Sequence, residues 1–198
     1  MPYTSRGVLF GIFAMAVVVT ASNVLVQYPF NNWLTWGAFS YPVAFLVTDL
    51  SNRYMGVAAA RRVVIAGFIL AVGMSIWFAT TRIAIASGTA FLTAQLLDVS
   101  VFDRLRQGTW WRAPLVSSFV GSALDTALFF SLAFAPAFAA LGANADWALQ
   151  TVPLLGIGTT APLWVSLAVG DFGVKVALAL IALIPFRITL GMFRPQGA

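Results

Sequence analysis

The sequence has no cysteine, no histidine and no glutamate, and lysine occurs once, at position 175. Without cysteine there is neither a disulfide framework nor a thiolate metal site. Without histidine the commonest metal ligand and the ordinary neutral-pH base are both missing. Charge of either sign is scarce: 9% of the 198 residues are charged, too few to clothe a water-facing surface. The motifs of energy-using and hydrolytic enzymes are also absent. There is no G-x-x-x-x-G-K-[ST] loop, so any direct use of ATP needs another chain, and there is no DDxxD magnesium site and no G-x-S-x-G elbow. Asp98 and Asp103 are not at a metal-ligand spacing. The expectation is a protein without cofactor or metal, and not an enzyme.

What the chain does have is apolar bulk. Hydrophobic residues make up 61% of it, and its mean hydropathy is +0.92, the signature of a membrane protein. A helix crosses the roughly 30 Å hydrocarbon layer in about 20 residues, and six stretches qualify, near 7–27, 33–52, 63–82, 84–105, 114–136 and 162–187. The expected fold class is all-α, a single six-helix transmembrane domain over 1–198. The second stretch is interrupted by Tyr41-Pro42, and polar residues crowd the ends of the second and fourth. The first stretch is long enough to span and lacks a convincing A-x-A site, so it does not read as a cleaved leader.

The net charge of +5 does not point to nucleic acid, because the basic residues sit at the ends of apolar stretches rather than in one patch. Arg6, Arg53, Arg61, Arg62, Arg104, Arg106, Arg112, Arg187 and Arg194 all fall on one side of the six-span arrangement, while Arg82 falls on the other. Cytoplasmic loops collect Lys and Arg, so both termini are expected in the cytoplasm. Trp33, Trp36, Trp110, Trp111 and Trp147 lie near span ends, as an interfacial aromatic belt requires. The longest outer connection, about 137–161, is rich in Gly, Pro and Thr and leaves room for a short interfacial or re-entrant helix around 147–156.

Ionisable groups at bilayer depth are costly and need partners or water. Asp125 falls near the middle of the fifth span and Lys175 near the middle of the sixth, with Asp171 one turn before Lys175 on the same helical face. Gln95 and Asp98 lie in the fourth span and Asn23 in the outer part of the first. Two readings compete: a buried ion pair that fixes helix register, or a wet cavity lined by polar groups. Buried pairs are in general no better than apolar packing for stability, which favours the cavity. A retinal Schiff-base site on the lone lysine would call for seven helices. At the inner end of the second span Asp49 precedes Arg53 by one turn as an i,i+4 pair, a cytoplasmic anchor or a gate. Ser118, Ser122 and Thr126 are expected to bond their own helix backbone. The acid-then-basic pattern of Asp49 and Arg53 is echoed by Asp98, Arg104 and Arg106, a weak sign of internal duplication.

Three segments taken together, YPVAFLVTDLSNRYMGVAAARR at 41–62, AQLLDVSVFDRLRQGTWWRAP at 94–114 followed by SALDTALFF at 122–130, and GDFGVKVALALIALIPFR at 170–187, resemble the queuosine precursor transporter family, bacterial inner-membrane proteins related to the vitamin uptake transporters. The resemblance covers the second, fourth, fifth and sixth spans. It implies a carrier of 7-deazaguanine bases (preQ0 and preQ1) across the bacterial cytoplasmic membrane, with Thr48, Asp49, Arg53, Gln95, Asp98, Asp125, Asp171 and Lys175 as family-like positions. A guanine-like base offers an N–H and an amine along one edge, which Asp98 or Asp125 can accept. Asn23, Gln95 or Lys175 can meet its carbonyl edge, and Trp77, Phe102, Phe129 or Phe172 can stack on the ring. With 17 phenylalanines in the chain, most must face lipid or other helices. Expected partners are thus a small purine-like base and the lipid bilayer, with no nucleic acid; a homodimer suits a carrier of this size. Two rivals remain: a binding subunit that needs a separate energising complex, and an assembly protein without ligand.

Overall fold

The computed structural model describes residues 5–192, so Arg194 lies outside the described residues. Among the described residues eight α-helices follow one another: α1 (Ser5–Leu25), α2 (Gly37–Ser40), α3 (Val43–Met55), α4 (Val57–Phe78), α5 (Thr81–Leu105), α6 (Arg112–Phe134), α7 (Asp146–Leu149) and α8 (Leu163–Met192). Five of these, α1, α4, α5, α6 and α8, are long and apolar enough to cross a membrane. The chain is a multi-pass helical membrane protein, and its long helices turn many Leu, Ile, Phe and Val side chains outward, as a lipid-facing surface requires.

The expected span at 33–52 is not one continuous helix. Pro42 has no N–H to give, so the ladder tightens to i→i+3 bonds, from Ala44 N to Tyr41 O at 3.0 Å and from Phe45 N to Pro42 O at 3.1 Å. Upstream, Asn31 Oδ1 accepts from the backbone N–H of both Trp33 and Leu34 at 2.8 Å and turns the chain out of helix. The expected start of the 63–82 span comes several residues too late. Helix α4 begins at Val57 and carries Arg61 and Arg62 on its exposed side, where long basic stems can run along the helix and keep their charge in water. Gly56, at φ 82°, joins α3 to α4 in a conformation that suits glycine. The outer connection adds the only two strands among the described residues, β1 (Thr151–Pro153) paired antiparallel with β2 (Thr160–Pro162). Around 147–156, where a short interfacial or re-entrant helix was expected, the chain forms α7, four residues long, and then turns into this ribbon.

Small residues let the helices approach closely. Ala44, Ala59, Ala60, Ala86 and Ala94 are fully buried. The main apolar core joins α1, α3, α4 and α5 around Met15, Val63, Val64, Phe91 and Val99. A second cluster, Phe130, Phe134 and Ala148, lies toward the end where α5 begins, and a third, Phe102, Ala113 and Phe186, lies toward the opposite end. Midway along α6, Phe45 lies on Gly121 so closely that a Cβ there would sit 2.7 Å from its ring. Gly121→Ala is therefore expected to cost about 1–3 kcal/mol through forced displacement of Phe45, read as a lower melting temperature in detergent.

Candidate functional site

A cavity of about 380 Å³ opens among α1, the 33–38 segment, α5, α6 and α8. Its size falls within the roughly 300–1,000 Å³ of small-molecule sites. Ser22 and Asn23 come from α1, Ser87 and Ala90 from α5, Asp125 and Phe129 from α6, and Asp171 and Lys175 from α8. Trp33 and Trp147 also line it. These are the N-terminal half of α5 and the C-terminal half of α6, so the cavity lies toward one end of the bundle.

The floor is a charge cluster. Lys175 Nζ donates to Asp125 Oδ2 at 2.7 Å and to Thr126 Oγ1 at 3.1 Å, and it forms an ion pair with Asp171. Thr126 Oγ1 donates to Asp171 Oδ2 at 2.8 Å, and Tyr41 OH donates to Asp125 Oδ1 at 3.1 Å. The ammonium also lies 5.4 Å from the centre of the Tyr41 ring. Two carboxylates around one ammonium leave a single negative charge. Asp171 is the more accessible carboxylate, its side chain 14% exposed against 5% for Asp125. Both of its bonds fall on Oδ2, which leaves Oδ1 to accept from a ligand. The i,i+4 spacing made the Asp171–Lys175 pair legible in sequence; Asp125 joins it only because α6 packs on α8.

Gln95 and Asp98 lie elsewhere, about one and two turns below the cavity along α5, in a second polar cluster closed off between α3, α5 and α6. Thr48 Oγ1 donates to Gln95 Oε1 at 2.6 Å, and Asn52 Nδ2 donates to Val99 O at 2.9 Å. Asp49 accepts from Ser117 Oγ at 3.1 Å and Ser118 Oγ at 3.3 Å. Asp98 lies against Gly121, one turn along α6 from Ser117, where a Cβ on that glycine would come 3.4 Å from Asp98 Cβ. Gln95 Nε2 and both oxygens of Asp98 are buried without a hydrogen-bond partner. Tyr41, in the turn that leads into α3, and Phe45 and Asp49, one turn apart on one face of α3, run from the cavity floor to this cluster.

The expected Asp49–Arg53 pair does not form. Asp49 turns to α6, whereas Arg53 Nη1 donates to Arg106 O at 2.6 Å and Arg106 Nη2 returns a bond to Arg53 O at 3.4 Å. This exchange ties the end of α3 to the end of α5. The acidic-basic echo noted in the sequence thus brings Asp49 and Asp98 into one buried cluster and sets Arg53 against Arg106. Ser118 and Thr126, expected to bond their own helix backbone, instead donate to carboxylates on other helices.

Of the expected site residues, the cavity gathers Asn23, Asp125, Asp171 and Lys175; Asn23 Nδ2 donates to Val19 O at 2.9 Å, and its Oδ1 takes no hydrogen bond. Among the aromatic candidates Phe129 lines the cavity, Trp77 is 83% exposed on α4, Phe102 packs on Phe186 and Phe172 on Phe119. Sequence reasoning missed Tyr41 as a partner of Asp125, and it placed Trp33 and Trp147 only in an aromatic belt. A tyrosine before a helix-breaking proline carries no signal of what it will meet across the bundle. It also missed Arg82. Expected in an outer loop, this residue sits in the first turn of α5, buried, and donates to the carbonyls of Leu132, Ala135, Gly142 and Ala143 and to Asn144 Oδ1.

The family model described as "Putative vitamin uptake transporter" matches residues 35–81 and 74–190. A queuosine precursor transporter of Escherichia coli is 34% identical over 201 aligned residues, covering 89% of this chain and 83% of that protein. A probable queuosine precursor transporter of Haemophilus influenzae is 36% identical, covering 65% of this chain and 70% of that protein. No solved structure matches the chain. With that likeness running through the helices that build both polar clusters, the chain belongs to the queuosine precursor transporter family.

Proposed function

We propose that this protein carries a 7-deazaguanine precursor of queuosine across the bacterial cytoplasmic membrane, binding it in the cavity above Asp125, Asp171 and Lys175. The observation that carries the reading is that floor: charged acceptors and a donor at the base of a cleft with aromatic walls. Asp171 Oδ1 accepts from the N–H and amine edge of the base, Asn23 meets its polar edge from the opposite wall, and Phe129 and Trp33 cover its faces. Residues Gly37 to Met55, helical except for the tightened turn at Pro42, run about 28 Å at 1.5 Å per residue and serve as a sixth span. The arginine bias then sets both termini in the cytoplasm and the cavity mouth outside.

The test is direct. Purified protein titrated with preQ0 or preQ1 is expected to change its intrinsic fluorescence through Trp33 and Trp147, and liposomes holding this protein alone are expected to take up labelled base. Binding without uptake would indicate a subunit that needs an energising complex, and absence of binding would defeat the reading. Asn23→Ala is expected to weaken binding by about 0.5–1.5 kcal/mol at nearly unchanged melting temperature, because its side chain bonds only within its own helix.

A further inference from the structure

The polar groups of the cavity are unevenly divided between donors and acceptors. Lys175 is the only cation that lines it, and its ammonium has three partners for three N–H bonds: Asp125, Thr126 and Asp171. None is left for a ligand. The Tyr41 hydroxyl is spent on Asp125 and that of Thr126 on Asp171. On the α1 wall the Asn23 amide has one orientation, because Val19 O can only accept and so takes Nδ2 at 2.9 Å. That leaves Oδ1, an acceptor, for the ligand. Beside it Ser40 Oγ donates to Gly37 O at 3.2 Å, so the proton in the 2.9 Å contact between Ser22 and Ser40 belongs to Ser22. The Ser22 oxygen therefore also accepts only. Asp171 Oδ1, Asn23 Oδ1 and Ser22 Oγ are thus fixed acceptors, and the donors that remain are the Thr35 and Ser87 hydroxyls and the indoles of Trp33 and Trp147.

The charge balance leans the same way. Asp125 and Asp171 against Lys175 leave one net negative charge, and no other charged side chain lines the cavity. Arg82 of α5 and Asp146 of α7 are opposite in sign and lie outside the lining, with Arg82 bonded to carbonyls of α6 and the outer connection. A neutral ligand leaves the floor charge unbalanced in a partly desolvated cleft, whereas a cation cancels it. Trp33, Phe134 and Trp147 add aromatic surface, which attracts cations; the last two rings meet edge to face at 5.4 Å.

We propose that this site selects its base by the substituent on the five-membered ring, preferring the cationic aminomethyl group of preQ1 to the nitrile of preQ0, and that Asn23 reads the difference. The selection rests on the carrier reading above. With its N–H and amine edge on Asp171, the bicyclic base holds its five-membered ring on the far side from the floor, toward α1. An aliphatic ammonium there is charged at neutral pH, as in lysine, and donates to Asn23 Oδ1. A nitrile has no hydrogen to donate. Its nitrogen lone pair meets the oxygens of Asn23 and Ser22, acceptor against acceptor.

The experiment is a set of fluorescence titrations of the purified protein with preQ1, preQ0 and unsubstituted 7-deazaguanine. The wild type is expected to bind preQ1 at least about tenfold more tightly than preQ0, the ratio that one hydrogen bond from a charged group supplies, with 7-deazaguanine between them. The loss in Asn23→Ala is expected to fall on preQ1, by about three- to tenfold, and to leave preQ0 unchanged. Asp171→Asn, which removes the net charge of the floor, is expected to weaken both bases and narrow the gap between them. Equal affinity for the two bases, or tighter binding of preQ0, would overturn the proposal and leave the carrier reading standing. An Asn23→Ala variant that weakens both bases alike would overturn it too. The wild-type comparison needs no variant and decides the matter should Asn23→Ala fail to fold. Absence of binding by all three bases would defeat the carrier reading and the selection with it.

Discussion

Lys175→Met is expected to abolish base binding and to remove about 3–5 kcal/mol of stability, the usual result of stripping one partner from a buried ion pair. The ammonium stands between Asp125 and Asp171 and also donates to Thr126. Its loss leaves two carboxylates facing each other at bilayer depth without a counter-charge. Most of the cost is that residual charge rather than the bonds removed. The triple variant Asp125→Asn, Asp171→Asn, Lys175→Met carries no such charge and is expected to recover most of the wild-type melting temperature while base binding stays lost. Thermal melts in detergent, paired with fluorescence titration, separate the two effects. A triple variant that binds base as the wild type does would show that the cluster fixes helix register and nothing more.

The second large effect is expected at Arg82. Its guanidinium donates to Leu132 O at 2.8 Å and Ala135 O at 2.7 Å, carbonyls at the C-terminal end of α6, where a cation meets the favourable end of the helix dipole. Its remaining bonds go to Gly142, Ala143 and Asn144 in the outer connection. Hydrogen bonds to a charged group contribute about 1.5–3 kcal/mol each but not additively, so Arg82→Ala is expected to cost at least about 3 kcal/mol. Arg82→Lys keeps the charge without the planar fork and is expected to fall between the two. The segment Arg82 anchors leads directly to Trp147 on the cavity wall. Base affinity should therefore fall together with stability, and the 136–149 segment should become sensitive to protease. A melting temperature for Arg82→Ala within error of the wild type would contradict this account.

Much of the bundle was legible before any coordinates. Stretches near 7–27, 84–105, 114–136 and 162–187 became α1, α5, α6 and α8 with ends shifted by a few residues, because crossing hydrocarbon demands long apolar runs that composition cannot disguise. The start of α4 was misjudged for the same reason: Arg61 and Arg62 broke the apolar run without breaking the helix. Trp33, within a stretch read as a span, instead became part of a cavity wall, because Asn31 and Pro42 act through local hydrogen bonds that hydropathy does not register.

The sequence by itself determined that this chain lies in a membrane, which groups are expensive to bury there, and that Asp171 and Lys175 meet, since a one-turn spacing on one helix leaves them little alternative. Only the tertiary structure decided the rest. It assigned Asp125 to Lys175, Asp49 to Ser117 and Ser118, Arg53 to Arg106 and Arg82 to the end of α6, and it divided the polar residues between an open cavity and a sealed cluster. These choices depend on which faces of separate helices come together. Helix contact is settled by the fit of small residues such as Gly121 and Ala94, summed over many weak contacts, and no single stretch of sequence encodes that sum.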